Sequence, residues 1–145
     1  MKILASAEDY LEAILVLHKK NGKVRAVDIA NHMQFAKPTV SIIMKQFRDN
    51  GYVCVDEDRC IHLTEKGAEI ANRIHERHTL LSTVLMAIGV DEATAFADAC
   101  KIEHNISETT FECIKAFYEK FTNSSDNPLR HLVKNSQNSK THETL

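Results

Sequence analysis

Cys100, Glu103 and His104 are spaced so that a helix would carry all three on one face, because residues three and four apart are neighbours there. A thiolate, a carboxylate and an imidazole that converge make half of a divalent-metal site, and one helix cannot complete it. Two other segments offer ligand-type residues at helical spacing: Asp9 with Glu12 near the N-terminus, and His75 with His78 further on. Each group taken alone has a plainer explanation. A carboxylate pair in a first turn favours the helix dipole. A histidine on a helix is usually packed or solvated, and Cys100 can be a buried thiol beside a surface Glu–His pair. The conjunction of three segments, each with donors on one face, is what points to a metal. The donor mixture narrows the ion: carboxylate and imidazole with a single thiolate suit five- or six-coordinate Mn2+ or Fe2+. A closed structural zinc site carries more cysteines. Zn2+ would still bind such donors in vitro, since raw affinity follows the Irving–Williams order and selectivity comes from geometry.

The elements that must position these groups are legible in the pattern. Ser6 as a capping residue, an acidic first turn and apolar Leu11, Ile14 and Leu15, with His18 next on that face, predict a first helix that Asn21-Gly22 ends. A short second helix is expected over 27–33, with Ile29 and Met33 inward. Pro38 opens a third, where its missing N–H costs nothing, with Val40, Ile43, Met44 and Phe47 as the buried stripe and Asn50-Gly51 as the stop. Two β-prone runs, 52–55 and 60–63, flank a polar turn and predict a hairpin. Thr64 caps a long helix that reaches Gly89 through Ile70, Ile74, His78, Leu81 and Val84. Asp91 starts another over about 92–104. Ser107 begins the last, with Phe111, Ile114 and Phe117 expected inside. From Thr122 the chain is rich in Asn, Ser, Lys and His. It is expected to be a mobile tail with a short helix near 129–133.

Composition is that of an ordinary soluble domain: 145 residues, 43 % apolar and 26 % charged. No apolar run approaches the roughly 18 residues that span a membrane, and the N-terminus has no signal-peptide core. The expected location is the cytoplasm, with no membrane partner. The four cysteines form no CxxC pair and suit reduced thiols; Cys54 and Cys60 are placed to face each other across the hairpin. A net charge of −2 does not advertise nucleic acid, but distribution matters more than the sum. Lys19, Lys20, Lys23, Arg25, Lys37, Lys45, Arg48 and Arg59 all lie in the first part of the chain.

Helix, short helix, tight turn, helix and hairpin is the order of a winged helix-turn-helix, whose second motif helix enters the major groove of DNA. The fold class expected is therefore all-α with a small β-hairpin wing. A winged helix-turn-helix over 1–72 would precede a helical metal-binding and dimerisation domain over 73–121, with the polar tail over 122–145. Lys37, Pro38, Thr39 and Ser41 stand at the start of the reading helix, where free N–H groups also favour phosphate. Lys45 lies two turns after Lys37, and Arg59 at the wing tip. The same topology also serves protein docking, so order alone does not settle DNA binding.

Several motifs together carry a resemblance: Glu8-Asp9-Tyr10-Leu11-Glu12-Ala13-Ile14, Lys37-Pro38-Thr39-Val40-Ser41, Leu63-Thr64-Glu65-Lys66-Gly67, Arg77-His78-Thr79-Leu80-Leu81 and Asp98-Ala99-Cys100-Lys101-Ile102-Glu103-His104. The chain resembles the diphtheria toxin repressor family of metal-dependent regulators, and more closely its manganese transport regulator branch, over about 5–121. The resemblance implies a metal set of Asp9, Glu12, His78, Cys100, Glu103 and His104, with His75 set aside. It also implies a homodimer paired through the helices after the winged unit, and a palindromic double-stranded operator governing metal-homeostasis genes. Iron sensors place a Met where this chain has Asp9, and manganese sensors often a Glu where it has Cys100, so the set is a hybrid. Phe96 and Ser82 occupy positions that are ligands in the iron branch, and the SH3-like C-terminal domain of longer members is expected to be missing. Two rival readings are a winged-helix regulator indifferent to metal, answering a small molecule or protein, and a metallohydrolase. For the latter the sequence offers neither HExxH nor a nucleophile motif, so no enzyme is expected.

Overall fold

A computed structural model describes residues 5–123. The expected tail helix near 129–133 lies outside the described residues. The chain forms two compact units, Met1–His75 and Glu76–Leu145. The elements in chain order are α1 (Ala5–Asn21), α2 (Ala26–Met33), α3 (Lys37–Asp49), β1 (Val53–Val55), β2 (Ile61–Leu63), α4 (Glu65–Ala87), α5 (Glu92–Ile102) and α6 (Glu108–Asn123). This is the all-α fold with a hairpin wing that the sequence pattern implies.

In the first unit, α1 stops at Gly22, whose φ of +75° suits a residue without a Cβ. The N–H of Arg25 donates to Asp28 at 2.8 Å and opens α2. Gln34 takes a left-handed φ of 57° and turns the chain tightly into α3, which Pro38 starts. Leu11, Ile14, Val24, Ile29, Val40 and Phe47 form one buried cluster. Tyr10 and Tyr52 meet the Phe47 ring edge-on at 6.3 and 6.0 Å, a geometry that adds roughly 0.5–1.5 kcal/mol per pair. Gly67 allows α4 to pass close to the backbone of Tyr52. A Cβ there would overlap the Tyr52 carbonyl oxygen, which also accepts the Thr64 N–H at 3.1 Å. Thr64 caps α4 as expected, accepting the Gly67 N–H at 3.2 Å.

β1 and β2 pair antiparallel, with Val53 opposite Leu63, Cys54 opposite His62 and Val55 opposite Ile61. Asp56 builds the turn between them. Its Oδ1 accepts the N–H groups of Asp58 and Cys60, both at 2.9 Å, and its Oδ2 bonds His62 Nε2 at 2.8 Å. The His62 contact first, and the Cys60 N–H next, hold the Asp56 carboxyl below its ordinary pKa. Arg59 sits at the tip with φ 61°.

In the second unit, Asp91 caps α5 by accepting the Thr94 N–H at 3.0 Å, and Leu81, Ala95, Ala99 and Phe111 are buried.

Five expectations are corrected. Ser6 lies inside α1 and does not cap it. His18 is exposed, its ring edge-on to His62 at 6.2 Å. Cys54 faces His62 and not Cys60, because the Asp56-built turn sets the register; all four cysteines are free thiols. α5 ends at Ile102, so Glu103 and His104 lie in the turn that follows. Phe117 is 70 % exposed on α6, where it stacks on Phe121 at 5.9 Å.

Candidate metal centre

Although α5 has ended, Glu103 keeps helical dihedrals, φ −57° and ψ −30°, and its N–H still bonds Ala99 at 2.9 Å. The i, i+3 relation to Cys100 therefore survives. α5 buries two alanines, Ala95 and Ala99, and small side chains permit close helix packing. His78 of α4 meets this end of α5. Its Nδ1 lies 2.9 Å from Glu103 Oε2 and 3.6 Å from Cys100 Sγ. The three donor atoms all lie within 4.8 Å of one another. His104 joins through Glu103, Nε2 to Oε1 at 3.4 Å.

Burial gives this cluster its chemistry. The Glu103 side chain is wholly buried and that of His104 nearly so, whereas His78 is 23 % exposed. Glu103 Oε1 receives no hydrogen bond among the described residues. An unsatisfied buried acceptor costs about 1–3 kcal/mol, more when charged. A cation offsets that cost, and oxygen, nitrogen and sulfur donors at one point suit a transition metal. The residues present fit a divalent ion.

Arg77 holds the turn that presents Glu103. Its Nη1 donates to the Glu103 and Ile106 carbonyls at 3.0 and 2.9 Å, and its Nη2 to Glu108 at 2.6 Å. The guanidinium also lies 5.4 Å from the centre of the Phe111 ring. The sequence reading passed over this role. The signal was an arginine on the apolar stripe of Ile70, Ile74 and Leu81, where a charge survives only with partners.

Asp9 and Glu12 stand on α1 in the first unit, both half-buried. Glu12 Oε1 lies 3.3 Å from Nδ1 of His75, the histidine set aside as a ligand. Ser82 gives its hydroxyl to the carbonyls of His78 and Thr79 at 2.7 and 3.1 Å, and Phe96 has no donor atom to offer. The expected DNA residues Lys37, Pro38, Thr39, Ser41 and Lys45 are exposed on α3, as is Arg59 on the wing.

Residues 2–61 match the family described as iron dependent repressor, N-terminal DNA binding domain, and residues 64–128 match its metal binding and dimerisation domain. An MntR regulator of Lysinibacillus sphaericus is 31% identical over 140 residues, covering 97% of each chain. The chain belongs to the iron-dependent repressor family. This is the diphtheria toxin repressor family of the motif comparison, in its MntR-like branch. An uncharacterized helix-turn-helix regulator of Methanocaldococcus jannaschii is 36% identical over 118 residues, 80% of this chain and 94% of that one. The solved structure of the manganese regulator SloR superposes with a TM-score of 0.69 at 27% identity, covering 78% of this chain. This chain spans 53% of that structure's chain. The protein is a metal-dependent DNA-binding transcriptional repressor, of a family of regulators and not of enzymes. No helix among the described residues is long and apolar enough to cross a membrane.

Proposed function

We propose that the protein is a cytoplasmic homodimeric repressor that grips a palindromic operator of metal-homeostasis genes when loaded with Mn2+ or Fe2+. The proposed ligands are Asp9, Glu12, His78, Cys100, Glu103 and His104. In that reading 1–72 holds DNA, while 73–121 holds the ion and the second subunit. The observation that carries the reading is the Glu103 carboxylate, buried and short of a donor, with His78 and Cys100 converging on it. The apolar groove lined by Leu81, Val84, Leu85, Ile102, Ile114 and Phe117 supports pairing through the second unit.

A bound divalent cation supplies the positive charge that lets a thiolate and several carboxylates share one place. The chain's own residues do the rest. His78 and His104 present imidazole nitrogens beside Glu103, and Arg77 fixes the Glu103 backbone. Asp9 and Glu12 come from the DNA-binding stretch of sequence and the other four from the second, so a shared ligand set couples ion binding to DNA binding. Such coupling amounts typically to about 1–3 kcal/mol. The test is fluorescence anisotropy on a duplex selected by the Mn2+-loaded protein. Glu12→Ala and His104→Ala should each lose Mn2+-stimulated binding and still sediment as dimers. Undiminished stimulation in both variants contradicts the ligand set.

A further inference from the structure

Helix α3 buries Val40, Met44 and Phe47. At about 100° per residue, the point of the helix diametrically opposite that stripe falls between Pro38 and Ile42, with Asp49 and Lys45 beside them. Ile42 is 59 % exposed there. It is the one large aliphatic side chain on that outer face, where Pro38, Lys45, Gln46 and Asp49 are also exposed, with Lys37, Ser41 and Arg48 exposed on the flank nearer the buried stripe. Ile42 belongs neither to the core cluster nor to the partly buried residues packed against it, and Lys37, Lys45 and Arg48 on one flank supply cations for a phosphate backbone. Base edges in the major groove present hydrogen-bonding atoms at every pair, and one apolar group: the C5-methyl of thymine. We infer that Ile42 is a specificity-determining residue, reading the C5-methyl of one thymine in each operator half-site by apolar contact. Lys37 and Lys45 grip backbone phosphates; they place the helix but carry no sequence information. This inference rests on the DNA-binding reading above and adds the base that α3 selects.

The experiment uses the full chain, loaded with Mn2+, to select duplexes from a random library. Wild type should enrich sites with an invariant thymine in each half. Ile42→Ala, a change at an exposed position, should melt at the wild-type temperature, select the remaining positions unchanged and lose preference at that thymine. Replacing the thymine by deoxyuridine removes the methyl alone. It should weaken wild type about fourfold per half-site, the worth of one methyl-sized apolar contact, and leave Ile42→Ala unmoved. Ile42→Leu should keep the preference. An unchanged thymine preference in Ile42→Ala, or equal sensitivity of both proteins to deoxyuridine, overturns the assignment and leaves DNA binding intact. Failure of wild type to enrich any sequence overturns the DNA-binding reading together with it.

Discussion

Asp56 on the wing and Glu103 after α5 each face a histidine nitrogen, at 2.8 and 2.9 Å. The rest of their surroundings differ. Asp56 is 42 % exposed, and both of its oxygens are satisfied by the turn it organises. Glu103 is fully buried, and its second oxygen, 3.4 Å from His104 Nε2, takes no hydrogen bond among the described residues. A carboxylate that the chain satisfies by itself serves the fold. One that is buried and left short is poised for something the chain lacks. The surroundings, and not the Asp/Glu–His pairing itself, separate a structural acid from a ligand.

The contrast breaks most sharply at Glu103. Glu103→Gln keeps the shape and removes the charge. Anaerobic calorimetry should show Mn2+ affinity falling about 100-fold or more, since even supporting residues around metal ligands carry roughly 10–100-fold. Asp56→Asn should leave that affinity unchanged, and an equal loss in both variants would erase the distinction. Arg77→Met should come next in size. It strips the donor from the Glu103 and Ile106 carbonyls, which predicts a loss of about 2–4 kcal/mol in denaturant unfolding. It should also lower Mn2+ affinity about 10-fold by loosening the turn; full stability in the variant would remove Arg77 from the account.

The smallest effect belongs to Asp56. Its pKa is lowered in the fold below the ordinary 3.8, chiefly by the His62 bond. The ionised form is thus favoured by folding. Its stabilisation is complete above the unfolded value and fades as pH falls through the lowered one. Stability measured below about pH 4 should therefore fall less steeply in Asp56→Asn than in wild type. Parallel curves would mean that the wing does not depend on this carboxylate.

Much of the architecture was legible because it follows local pattern. The Val40, Met44 and Phe47 stripe, Pro38 at the start of α3 and the Thr64 cap each rest on a few residues of sequence. What pattern missed was set by contacts distant in sequence. The end of α5 depends on Arg77, 26 residues away from Glu103. The register of the wing depends on how Asp56 folds its own turn, which moved Cys54 opposite His62. Phe117 matched the apolar period of α6, but periodicity does not say whether anything in the same chain covers that face. In the candidate site, spacing brings Cys100 and Glu103 to one face and offers His75 and His78 alike, whereas the choice of His78 is implied by resemblance and its approach to Cys100 appears as geometry only in the fold.

The most direct measurement is anomalous scattering at the manganese edge from crystals of the Mn2+-loaded chain. The account predicts manganese density bonded to His78, Cys100 and Glu103, with Asp9, Glu12 and His104 among the ligands. No peak at Glu103, or a peak there with Asp9 and Glu12 uncoordinated, would contradict it.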